Sequence, residues 1–191
     1  MTEAEWLTGT DPTPMLEFLR DKATDRKLRL FAVASSRNHH SISWEAARTA
    51  VEVFERFADG LATRVELRKA SYQSYGGHLT SMVVRSGLAH AQLIVQYTLS
   101  QARVWPKQSK LLRDIVGNPF RHAAADPLWL SSTAVSLAQS IYEDRAFDRL
   151  PILADALEEA GCDDPELLAH CRGDWPHVRG CWVVDLVLGK Q

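Results

Sequence analysis

All three cysteines of this 191-residue chain, and two of its seven histidines, lie in residues 160–182, AGCDDPELLAHCRGDWPHVRGCW. Thiolate and imidazole are the ligands zinc prefers, four of them in a tetrahedron, and structural sites gather them from short neighbouring segments. Cys162, His170, His177 and Cys181 form the pattern C-x7-H-x6-H-x3-C. The H-x3-C half has a spacing familiar in zinc sites, while the C-x7-H half is longer than the common knuckle. These four are the predicted metal ligands, and a structural zinc is the expected cofactor. Cys171, next to His170, would point elsewhere and is read as a bystander. The competing reading makes the same residues small buried thiols and hydrogen-bonded histidines, because free cysteine is among the most buried residue types.

A catalytic use of the cluster is the alternative. Cys181 and His177 could pair as thiolate and imidazole in a metal- or thiol-dependent hydrolase or transferase, with Glu166 or Asp185 as general base. No H-E-x-x-H and no H-x-E with P-C-x-x-C accompanies them. G-x-x-x-x-G-K-[ST], G-x-G-x-x-G and G-x-S-x-G are also missing, which disfavours nucleotide-dependent and α/β-hydrolase chemistry. No catalytic residue is assigned, and the expected role is protein–protein interaction. Other features carry less. His39-His40 reads as solvated. Arg37, Arg121, Arg172 and Arg179 could gather an anion, but Arg172 and Arg179 fit better as helix-end caps or as partners of Asp174 and Asp185. Trp175 and Trp182 are expected to pack against each other or the core, and an exposed Trp175 would be a partner anchor.

The elements that must position these residues read as helices. Pro14–Arg20 carries Met15, Leu16, Phe18 and Leu19. Residues 25–36 offer Leu30, Phe31 and Ala34. Ser43 caps a segment with Ala47, Ala50, Val51, Phe54, Phe57 and Ala58 at three- and four-residue steps, stopped by Gly60. Another helix is expected from residue 63 to Gly76-Gly77. The stretch His78–Val104 reads as one or two buried helices. Pro106 opens a helix with Leu111, Leu112, Ile115 and Val116 in a stripe, ended by Gly117-Asn118-Pro119. After a turn at Asp126-Pro127 come two more, with Val135, Ala138, Ile141 and Tyr142 inward in the first. The second has Asp148 as cap and Leu153, Ala156 and Leu157 inward. Asp164-Pro165 opens a short helix closed by Gly173. Pro176 opens the last, with Val183, Leu186 and Val187 inward and Gly189 at its end, which would place His177 and Cys181 on one helical face. The expected fold is all-α, an irregular bundle of about eight short to medium helices. It reads as a single domain over 1–191, with a seam at 118–119 and a Cys/His-rich subregion at 160–189.

Composition fits that picture. The chain is 46% hydrophobic and 24% charged with a net charge of −2, so nothing pulls it generally toward nucleic acid or an anionic membrane. The polar, acidic start and the lack of a run of roughly 20 apolar residues argue against a leader or a membrane span. A cytoplasmic location is expected, where clustered cysteines serve as thiols or ligands rather than disulfides.

Three blocks carry a resemblance: MTEAEWLTGTDPTPMLEFLRDKATDRKLRLFAV, LLRDIVGNPFR, and the long closing stretch from AFDRLPILADALEEAGC to HVRGCWVVDLVLGK. With these the chain resembles an uncharacterised protein family abundant in planctomycete-type bacterial genomes, which implies no activity or ligand. The family's closing pattern implies Cys and His at 162, 170, 177 and 181 and a variable position at Cys171. Where relatives tend to carry a cysteine-rich stretch, this chain has AVASSRNHH at 32–40. A thiol-dependent role of that segment is not expected here.

Overall fold

The computed structural model describes residues 1–37, 45–73, 105–121 and 123–190. Among them are ten α-helices and no strand, so the all-α expectation holds. The Ser43 cap, the Gly76-Gly77 stop, His39-His40 and the segment His78–Val104 lie outside the described residues. The chain packs as two compact units, Met1–Leu112 and Arg113–Gln191.

The first unit opens with α1 (Glu3–Thr8), which apolar periodicity did not predict. Thr2 and Glu5 exchange side-chain and backbone hydrogen bonds in a capping box, enough to start six residues that bury Trp6 completely. Helix α2 (Pro12–Phe18) begins two residues before the expected Pro14, because Asp11 caps it by accepting from the Thr13 amide. In α3 (Asp25–Arg37), Leu30, Phe31 and Ala34 are buried as expected. Helices α4 (Glu45–Ala58) and α5 (Arg64–Gln73) pack on one another, and α3 packs on α4. Val33, Ala50, Val51, Phe54, Leu67 and Ala70 make their common core. Arg26 of α3 closes on Asp59 at 2.9 Å.

The second unit starts in the last turn of α6 (Trp105–Val116) and continues through α7 (Ser132–Asp144), α8 (Leu150–Glu159), α9 (Pro165–Arg172) and α10 (Trp182–Val187). Short 3-10 turns at Pro127–Trp129 and Phe147–Arg149 lead into α7 and α8. Asp148 lies inside the second turn rather than capping α8, whose N-cap is Arg149 with no side-chain bond. The helix buries Ala154 where Ala156 was expected; Ala156 is only half-buried. Asp164 caps α9 by accepting from the Glu166 and Leu167 amides. Arg172, near its end, pairs with Asp155 and Glu158 of α8 at 2.7 and 2.6 Å, not with Asp174. Ala138, Ile141, Leu153, Leu157, Leu167, Val183 and Val187 belong to one core shared by α7–α10.

The last expected helix forms, but it begins at Trp182 and not at Pro176. Residues 174–181 are an irregular strap between α9 and α10, so His177 and Cys181 do not share a helical face. The strap turns twice, with the His177 amide donating to the Trp175 carbonyl and the Cys181 amide to that of Val178, both at 2.9 Å. The Val178 amide donates to the Asp114 carboxylate at 2.9 Å, which ties the strap to α6. Gly180 sits at φ +97°, a left-handed conformation that glycine enters cheaply.

Candidate metal centre

Asp114 is the unanticipated member of the site. It lies on α6 between Leu111 and Ile115, on the side that enters the core, and it is completely buried. A carboxylate there must be compensated. Its Oδ1 receives His177 Nδ1 at 2.7 Å and His170 Nε2 at 3.1 Å, and its Oδ2 accepts the Val178 amide at 2.9 Å. Burial pushes the Asp114 carboxyl up, but the hydrogen bonds from both histidines, with their charge, outweigh it and hold the group below the ordinary range.

Cys181, also fully buried, caps α10 and closes the group. Its Sγ is 3.5 Å from His170 Nε2 and 4.0 Å from His177 Nδ1. One ligand atom each from Asp114, His170, His177 and Cys181 falls within 4.8 Å of all the others, so the group can hold a metal ion. Around a tetrahedral zinc with bonds of about 2.0–2.3 Å, ligand atoms stand about 3.2–3.7 Å apart. The observed separations of 3.1, 3.5 and 4.0 Å straddle that range, while the 2.7 Å carboxylate–imidazole edge has hydrogen-bond length and must widen around an ion.

The surroundings hold these side chains in place. His170 lies among aromatic rings, 6.0 Å from Trp175 in a stacked pose and 5.3 Å from Trp182. Trp182 packs on Gly117 so closely that a Cβ there would come within 3.0 Å of its Cγ. Gly173 plays the same part for Trp175, whose ring occupies the space a Cβ would need. Hence both tryptophans pack against the centre's histidine rather than against each other. Burial, then Asp114 and Cys171, push the Cys181 thiol well up, and the Val183 and Val184 amides counter this only in part.

Of the four ligands predicted from the sequence, the structure brings His170, His177 and Cys181 together. Cys162 is not in the group: it is buried at the α8–α9 junction within the α7–α10 core, its sulfur facing the Asp164 amide. Cys171 is buried in the same core with its thiol pushed up to about 12, mainly by burial. Arg179 lies over the Tyr142 ring at 4.4 Å, and Arg121 pairs with Glu166 at 3.3 Å.

No described helix is long and apolar enough to cross a membrane. Comparison with models of known families, with curated proteins and with solved structures gives no match.

Proposed function

We propose that the protein is a non-enzymatic, cytoplasmic helical module that works through contacts with a protein partner. In this reading a structural zinc on Asp114, His170, His177 and Cys181 holds its second unit. The observation that carries the zinc is the convergence of four buried ligand atoms of suitable type within 4.8 Å. Two neutral imidazoles, one carboxylate and one thiolate contribute two negative charges, so a divalent ion leaves the buried centre neutral. Four protein ligands also fill a tetrahedron, which supports a structural rather than a catalytic ion. A thiol enzyme needs an accessible thiolate, and Cys181 is fully buried with its thiol pushed up. The closing Cys/His motif supports placing the chain in the planctomycete-type family.

Metal analysis of the purified chain tests the centre, with about one zinc per chain expected. A content below roughly a tenth of that, with melting unchanged by chelator, overturns it. Cobalt substitution should give the visible absorption of a tetrahedral ion together with a sulfur charge-transfer band. That band should vanish in Cys181→Ser, and added azide should leave the spectrum unchanged if no coordination position is open.

A further inference from the structure

Beside the centre lies a cavity of about 360 Å³ whose lining includes Phe147, Asp148, Gly173, Asp174, Trp175 and His177. That volume falls in the range of small-ligand pockets. No lysine or arginine lines it. Asp148 and Asp174 are both exposed, and neither has a hydrogen-bond or ion-pair partner among the described residues. Asp114, Asp155, Glu158 and Glu166 of the same unit are all paired. The aromatic part is rigid, because Trp175 rests on Gly173 and stacks on His170. A third group points to a ligand independently. The His177 side chain is only 8% exposed, and its Nε2 is buried with no hydrogen-bond partner. Its Nδ1 faces Asp114 and Cys181, so the Nε2 direction diverges from the centre. With a metal on Nδ1, Nε2 carries the ring proton and requires an acceptor.

Free carboxylates and a fixed indole face in one cavity together call for a flat cation. We propose that this cavity receives an arginine residue of a partner protein. Its guanidinium pairs with Asp148 and Asp174 against the Trp175 ring. Arginine fits better than lysine because a planar guanidinium can bond a carboxylate edge-on while lying on an aromatic face. The assignment rests on the interaction role proposed above and gives that role a partner chemistry.

The test titrates acetyl-Gly-Arg-Gly-amide into the zinc-loaded full-length protein. It follows the indole N–H signal of Trp175, identified by its loss in Trp175→Phe. Saturable shifts are expected. The matching citrulline peptide, of the same shape but uncharged, should bind at least tenfold more weakly. So should the arginine peptide with the Asp148→Asn/Asp174→Asn variant, whose zinc content and melting should match the wild type. Absence of saturable shifts overturns the proposal, as does equal binding of the citrulline peptide or full binding by the double variant. A lysine peptide that binds equally well overturns the guanidinium assignment. Zinc content read on the same samples separates the two readings. Arginine binding by a chain that takes up no zinc leaves the pocket standing and removes the metal; a zinc-loaded chain blind to arginine removes the pocket alone.

Discussion

At the scale of residues, Asp114 decides how the centre behaves. Three of the four converging ligands were legible in the sequence, because His170, His177 and Cys181 lie within twelve consecutive residues with familiar spacing. Asp114 sits 56 residues before His170, and no local pattern could reach it. It did leave a signal in LLRDIVG, where an acid occupies an inward position of an apolar stripe and so must have a buried partner. Cys162 was drawn into the expected set by its place in the Cys/His pattern and by the resemblance, neither of which reports on where the side chain packs. Asp114→Ala should lower zinc affinity at least about tenfold, whereas Cys162→Ser should keep full zinc content while losing some stability. A competition titration with a chromophoric chelator reads both. Zinc uptake near neutral pH should also release about one proton per ion from the Cys181 thiol, measurable by calorimetry in buffers of different ionisation enthalpy. Without metal, pH acts on the two groups with opposite sign. The Asp114 carboxyl is held below its ordinary 3.8, so its contribution to stability is present above that pH and drains away as pH falls through the folded value. The Cys181 thiol is raised above 9.0, so its contribution is complete below that pH and is lost as pH rises through the folded value. Melting curves of chelator-treated protein should therefore fall off on both sides. Zinc should shrink the alkaline limb by binding the Cys181 thiolate, leaving the part that the raised Cys171 thiol contributes.

At the scale of elements, helices announced by periodicity and punctuation appear where expected, α3, α7 and α9 among them. Failures came where a tertiary contact overrode a local signal. Pro176 is a sound helix opener, yet residues 174–181 stay irregular, tied to α6 through the Val178–Asp114 bond and turned out of helical geometry at Gly180. Helix α1 has too few residues to show a period, and only its T-x-x-E box marked it. Two glycines separate backbone strain from crowding. Gly161 (φ +92°) has open space where a Cβ would go, and Gly117 (φ +74°) faces Trp182. Gly161→Ala should cost about 1–2 kcal/mol from the left-handed backbone alone. Gly117→Ala should cost roughly 1–3 kcal/mol more, because the added methyl displaces the indole that covers His170. Urea unfolding of the two variants measures the difference, and equal costs would mean that Trp182 yields freely.

At the scale of the whole molecule, the centre lies entirely within the second unit. Its ligands come from the end of α6, from α9, from the strap and from the start of α10, three of them well separated from the first in sequence. A constraint of that kind is felt most where the chain is least regular. Amide exchange with and without chelator should show the largest loss of protection in residues 174–181 and at the start of α10. Uniform loss across the unit would instead indicate that α7–α10 do not hold without the ion.

Asp114 is the second residue of its unit, and Cys181 lies close to the unit's other end. Metal–ligand bonds at the centre would therefore act as a clasp across the two ends of one folded segment. Under mechanical tension applied at residues 113 and 190, load reaches the clasp before it reaches the helix packing between them. Such a unit would yield abruptly, at the rupture of a few coordinate bonds, instead of unravelling helix by helix.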